Sequence, residues 1–285
     1  MKRIDWHAGF VSAMKLELIE NKDDLIFEEE HQIANRAQRI DLLIIKNQND
    51  AVIRNPIGVM FGRFNICEYK SPGQSLTYGD FYKTIAYTGL YLDENEQNGP
   101  YNANNYTISF IGGSHPHILF KRLSSDGITI KPLYPGIYTL SGNLPFRTQV
   151  IIIREISPKQ CTWLRSLTKQ GTRSNLDSIV YSTRPLDINF KRYADNVMDV
   201  FTSANNNLVK KELEDPTMCN AVNELFADQI KELKEVIADM GSQLADKESQ
   251  LADKDSQLAD KDALIAQLQA QLHAQGKQQR SSANS

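Results

Sequence analysis

Asp41 and the pair Glu68 and Lys70 are the residues of this chain whose types and spacing best suit catalysis. Asp41 stands in RIDLLIIK (Arg39 to Lys46), followed by an unbroken apolar run. A carboxylate in such a run is costly unless it is paired or bound to a cation. In FNICEYK (Phe64 to Lys70), alternation with period two puts Glu68 and Lys70 side by side on one face and turns Tyr69 to the other. One strand then offers an oxygen ligand and an ammonium group together. If the two strands are neighbours, Asp41 and Glu68 can share Mg²⁺ or Mn²⁺, ions that prefer oxygen ligands and keep several waters. Such a metal acidifies a bound water and stabilises charge on a scissile phosphate. Lys70 is placed to orient or deprotonate that water, or to neutralise the charge developing on phosphorus. The alternative for the same residues is a buried ion network, in which Lys70 and Arg39 neutralise the two carboxylates without catalysis.

These residues need elements to hold them. Trp6 to Ile19 reads as a helix that is apolar on nearly every side, and therefore buried. Glu17 follows Phe10 by seven residues, so it shares a face with Phe10 and Met14 and can be directed at the same metal. RIDLLIIK has the composition of an interior strand, and FNICEYK is a second strand beyond the polar stretch Asn47 to Gly62. Ser71-Pro72-Gly73 stops it. Thr77 with Asp80 forms a capping-box pattern that opens a helix from about Tyr78 to Tyr91. Tyr106 to Ile111 is a third strand, reached by a parallel crossover. Further strands are expected at Ile128 to Leu133, Gly136 to Leu140 and Gln149 to Arg154. The first half is thus an α/β sheet domain, residues 1–155. A helical region, 156–226, packs on it, with helices opened by Ser157-Pro158 and spanning Leu186 to Phe201.

Residues 227–275 form a heptad-repeat helix built on SQLADKE, SQLADKD, SQLADKD. Ile237, Leu244, Leu251, Leu258, Ile265 and Leu272 share one heptad position, but the partner position reads Met240, Lys247, Lys254, Lys261, Leu268. Two readings stay open: a coiled coil weakened by lysine layers, joining copies into a homo-oligomer, or a solvated single helix held by charge pairs at i,i+4 spacing. Residues 276–285 (GKQQRSSANS) are disordered by composition.

The order of a helix with Glu17, a strand with Asp41, a strand with Glu68-Tyr69-Lys70 and then a helix resembles the PD-(D/E)XK nuclease superfamily, whose core is an αβββαβ fold. EYKSP followed by the DFYK helix is similar more particularly to the nuclease-family transposases and recombination-promoting nucleases. The resemblance covers roughly Trp6 to Glu155, and more loosely the chain as far as Phe226. It implies a metal-dependent DNA endonuclease in which Asp41 and Glu68 hold Mg²⁺ or Mn²⁺, Lys70 serves the nucleophilic water and Glu17 assists. Lys83 in DFYK matches a less constant position that touches DNA phosphate. One departure is that Ile40, not proline, precedes Asp41.

Bulk properties set the remaining bounds. The net charge of −3 equals that of the repeat segment Ser242 to Asp262 alone, so nucleic-acid binding cannot rest on bulk charge. Between Arg147 and Arg192, however, nine Lys or Arg residues stand against Glu155, Asp177 and Asp187. That surface, with Arg154 and Arg165 in it, is a candidate for phosphate contact or simply a solvated face. Cys67, Cys161 and Cys219 have no CxxC spacing, which suggests neither a disulfide framework nor a zinc site. No apolar run approaches a membrane span, and a soluble, cytoplasmic protein is expected. Neither GxxxxGK[ST], GxGxxG nor GxSxG occurs, which disfavours kinase, dehydrogenase and serine-hydrolase chemistry. SHPH (Ser114 to His117) reads as a surface turn with its two imidazoles on opposite sides. A non-catalytic scaffold, a nuclease-like core that binds nucleic acid or protein and is assembled by its heptads, is the competing function.

Overall fold

The structure, a computed structural model, describes residues 4–33, 39–48, 51–95, 102–213, 238, 240–254, 258 and 261. The chain divides into two compact units, Met1–Leu225 and Phe226–Ser285.

The first unit is built on one seven-stranded mixed sheet with order β1-β2-β3-β4-β7-β6-β5. After helix α1 (Trp6–Glu17), β1 (Leu25–Gln32), β2 (Arg39–Lys46) and β3 (Phe64–Lys70) run as an antiparallel meander. Helix α2 (Tyr78–Asn95) then returns the chain so that β4 (Tyr106–Gly112) lies parallel to β3. Helix α3 (His117–Ser125) leads to β5 (Thr129–Tyr134), β6 (Ile137–Ser141) and β7 (Arg147–Ile152), and β7 is parallel to β4. Strands β3, β4 and β7 therefore end at one common edge of the sheet. Helices α4 (Thr162–Arg165), α5 (Arg173–Thr183), α6 (Ile188–Ala204) and α7 (Asn206–Leu213) complete the unit.

The residues explain both layers. On one side of the sheet Leu43, Ile66, Ile108 and Val150 pack with Phe81 and Tyr91 of α2, and the Phe81 and Phe110 rings stack 5.2 Å apart. On the other side α1 lies between the sheet and α6: Phe10 stacks flat on Tyr69 at 4.4 Å, and α1 also packs on α6 and α4. This sandwiching is why α1 is apolar nearly all round. Gly9 makes it possible, because a Cβ there would stand 2.8 Å from Cγ2 of Val200.

Two elements differ from the sequence expectation. β1 was not anticipated because IFEEEHQ is too charged to show alternation. It is an edge strand whose carboxylates pair outward, Glu29 with Lys15 at 2.7 Å and Glu30 with Arg39 at 2.7 Å, and charge is how edge strands resist further pairing. Helix α3 replaces the surface turn: it starts at His117 directly after Pro116, and proline suits a helix start. The His115 and His117 rings consequently lie 4.4 Å apart on one side rather than on opposite sides.

In the second unit residues 240–254 are helical. Met240, Leu244, Leu251 and Leu258 are 57–64% exposed within the single chain. Ile237, Ile265, Leu268 and Leu272 of the heptad pattern lie outside the described residues, as do Cys219, Pro216 and the 276–285 tail. Among the described residues, no helix is long and apolar enough to cross a membrane.

Candidate active site

Three of the expected residues converge where β2 begins and β3 ends. Leu42 is opposite Cys67 in the antiparallel ladder, so continuing the register by one residue sets Asp41 across from Glu68 on the same face. Asp41 Oδ2 accepts the Tyr69 backbone N–H at 2.8 Å, which ties its carboxylate to β3. Glu68 is 4% exposed, and its Oε1 accepts from Lys70 Nζ at 2.8 Å and from Lys83 Nζ at 3.3 Å. Lys83, on the second turn of α2, is thus aimed at the same carboxylate.

Asp80 belongs to this cluster as well, though its sequence signal was only that of a helix cap. Its Oδ2 accepts from the Thr77 backbone N–H at 3.0 Å and from the Thr77 hydroxyl at 2.6 Å. The Asp80 N–H in turn donates to the Thr77 hydroxyl at 3.1 Å. The other oxygen, Oδ1, holds Lys70 Nζ at 2.9 Å. One carboxylate both starts α2 and clamps the site lysine.

Charge follows from this geometry. Burial lifts the Asp41 carboxyl above its usual range, and the Glu68 charge beside it adds to the rise. Burial alone would lower the Lys70 pKa, but the hydrogen bonds and charges of Glu68 and Asp80 outweigh it and leave it raised. Lys70 is therefore a fixed ammonium at neutral pH. Of the roles open to it, orienting water and neutralising charge remain, and taking a proton from water does not. For Asp80, burial is overcome by the Thr77 hydroxyl and Lys70, and its pKa is lowered.

Beside Asp41 opens a cavity of about 590 Å³ lined by His7, Tyr69, Ser71 and Gln74 among others. His7 Nε2 is buried there without a hydrogen-bond partner. The sequence gave no sign of this placement, which follows from α1 starting next to Asp41. In β1, the one described non-glycine residue with positive φ, Glu30 (φ 46°), stands in the row that continues to Asp41.

The donor set fits a hard cation. Asp41 and Glu68 offer carboxylate oxygens that repel each other when both are charged. Among the described residues, no group of three or more His, Cys, Asp or Glu side chains is disposed to hold a metal. A Mg²⁺ or Mn²⁺ ion here would take two protein carboxylates and complete its shell with water and phosphate oxygens, which is the habit of Mg²⁺.

Glu17 is not part of this cluster. The N-terminal turn of α1 faces Asp41 through His7, and ten residues of helix at 1.5 Å each carry Glu17 roughly 15 Å along the axis from there. Its Oε1 accepts the backbone N–H groups of Trp163 at 2.7 Å and Leu164 at 2.9 Å, and its Oε2 accepts from Asn55 Nδ2 at 3.3 Å. Glu17 is a buried cap on α4. Helical periodicity named its face correctly but said nothing of its position along the axis. Arg165 is also engaged, donating to the Ile153 carbonyl at 2.9 Å, while its neighbour Arg154 is exposed. Elsewhere in the basic stretch Arg173 is taken up by Glu212 at 2.9 Å.

No family model matches the chain, and no curated protein or solved structure matches it, so the chemistry of the site rests on its own geometry.

Proposed function

We propose that this chain is a metal-dependent DNA endonuclease of the PD-(D/E)XK type, linked to recombination or a mobile element, that hydrolyses phosphodiester bonds with Asp41, Glu68 and Lys70. The observation that carries this reading is that Glu68 and Lys70 end one strand directly across from Asp41, with Lys70 fixed as a cation by two carboxylates. The order α1-β1-β2-β3-α2-β4 supports it, being the αβββαβ order of that superfamily.

Bound between Asp41 and Glu68, Mg²⁺ or Mn²⁺ would supply an acidified water and Lewis acidity. The chain's own residues do the rest. Asp41, pinned by the Tyr69 N–H, and Glu68, pinned by Lys70, keep their oxygens in place. Lys70 sets its ammonium beside the scissile phosphate, where an immobile positive charge lowers the barrier without reorganising. Lys83, 42% exposed, reaches from Glu68 toward a neighbouring phosphate. Arg154, at the end of β7 on the same sheet edge, and more weakly Arg165, extend that contact.

The reading is tested on supercoiled plasmid with the purified full chain. Nicking that needs Mg²⁺ or Mn²⁺, stops in chelator and disappears in Asp41→Ala supports it. Intact DNA and RNA substrates after incubation with folded protein overturn it. A second reading, a binding scaffold assembled through the heptads, is favoured by the exposed line of Leu244, Leu251 and Leu258.

A further inference from the structure

One strand over from the site, a cavity of about 470 Å³ opens between the first turn of α2 and the start of α3. Leu76 and Leu119 give it an apolar floor, and Tyr78, His115, His117 and Arg122 supply its polar and aromatic walls. Those walls are braced from behind. Tyr78 Oη donates to Asp126 at 2.9 Å, and the Arg122 guanidinium lies 4.0 Å over the Tyr78 ring. His115 Nδ1 is bonded to Glu155 Oε1 at 2.9 Å, and Tyr138 Oη holds the other Glu155 oxygen at 2.7 Å. With Nδ1 committed, Nε2 is the atom of His115 left for a ligand.

We propose that this cavity is a nucleobase subsite, in which a base of the strand bound at Glu68 and Lys70 lies against Arg122, Tyr78 and the paired imidazoles of His115 and His117.

The proposal rests on the nuclease reading and deepens it. Its volume falls in the ordinary range of ligand pockets, about 300–1,000 Å³. A planar aromatic ligand is what an arginine stacked on tyrosine and two adjacent imidazoles recognise, and a nucleobase also offers edge donors and acceptors to the imidazole nitrogens. The phosphate it carries suits the positive charge of Arg122. Continuity with the site supplies the occupant. Tyr78 stands two residues before Asp80, whose Oδ1 holds Lys70. Lys70 is in register with Gly112 of β4, three residues before His115. A strand whose phosphate lies at Lys70 therefore passes this turn. Arg122 and His117 are both exposed, so the core does not depend on either.

The test compares two fluorescein-labelled single-stranded oligomers of equal length, oligothymidylate and its abasic counterpart. Binding to the full chain is followed by anisotropy in chelator, where no cleavage occurs. Wild type is expected to bind oligothymidylate roughly tenfold more tightly, the range of one base stacked on a protein ring. Arg122→Ala and His117→Ala should each erase most of that preference while leaving abasic binding unchanged. Lys83→Ala should weaken both oligomers alike. If both pocket variants keep the preference, as a pocket for a protein side chain would require, or if folded wild type shows no preference or no binding, the subsite is wrong. Plasmid cleavage by the same proteins with Mg²⁺ separates the two readings. Pocket-dependent preference without cleavage defeats the nuclease alone, and cleavage with an undisturbed preference defeats the subsite alone.

Discussion

Lys70 is held at 2.8 Å by Glu68 and at 2.9 Å by Asp80, and this pairing decides what chemistry the lysine performs. A lysine so clasped keeps its proton. Asp80→Asn removes one clamp charge while leaving an oxygen to cap α2, so cleavage is expected to fall about tenfold while stability falls by less than about 1 kcal/mol. A loss of folding rather than rate, seen by thermal unfolding, would reassign Asp80 to the cap alone. Glu17 shows the opposite case, a titratable group with no part in the reaction. Burial pushes its carboxyl from 4.5 up to about 8, against the pull of the Leu164 and Trp163 amides. Between those values the folded chain keeps a proton that the unfolded chain has released. Stability from the protonated form is thus full below pH 4.5 and is lost as pH rises through about 8. Glu17→Gln cannot ionise, so urea unfolding at mildly acidic and mildly alkaline pH should show wild type losing more stability than the variant. Parallel losses would contradict the buried, protonated carboxyl. At this scale the sequence was informative where period two applied: Asp41, Glu68 and Lys70 share a face as alternation required. Asp80 was legible only as a cap, because its second contact depends on how α2 lies on β3.

Helix α1 shows how an element can be read correctly and its residue misplaced. Its apolar circumference announced burial, and Phe10 on Tyr69 with Gly9 against Val200 fulfils it. Which end meets which neighbour depends on the tertiary fold, so Glu17 came to rest on α4 instead of the metal. Glu17→Ala would leave the Trp163 and Leu164 N–H groups unpaired, at roughly 1–3 kcal/mol each, whereas Glu17→Gln keeps an acceptor and should cost less than half as much. Equal costs in chemical unfolding would mean that the cap is unimportant. The start of α3 was written in the sequence, with Pro116 ahead of Leu119 and Leu123 at i,i+4 spacing, but the two histidines drew the reading toward a turn. β1 was hidden by its charges, since an edge strand with three consecutive glutamates has no periodicity to show.

At the scale of the whole molecule, the mixed α/β sheet brings the ends of β3, β4 and β7 to one edge and gathers there the carboxylate pair, the lysines and the aromatic cavity. The separate heptad unit has a different task. Leu244, Leu251 and Leu258 line one heptad position and are exposed in the single chain, so self-association through them predicts a mass that rises with concentration in light scattering. Leu251→Asp should return that mass to one chain. A single-chain mass for wild type at all concentrations would favour the solvated helix. The central claim is that Asp41, Glu68 and Lys70 form a hydrolytic centre from which Glu17 is excluded. It is tested most directly by plasmid nicking with Mg²⁺ in wild type, Glu68→Gln, Lys70→Met and Glu17→Gln, each checked for folding. The account predicts losses of about 100-fold or more for the first two variants and near-wild-type cleavage for Glu17→Gln. Cleavage that survives Glu68→Gln and Lys70→Met would contradict it.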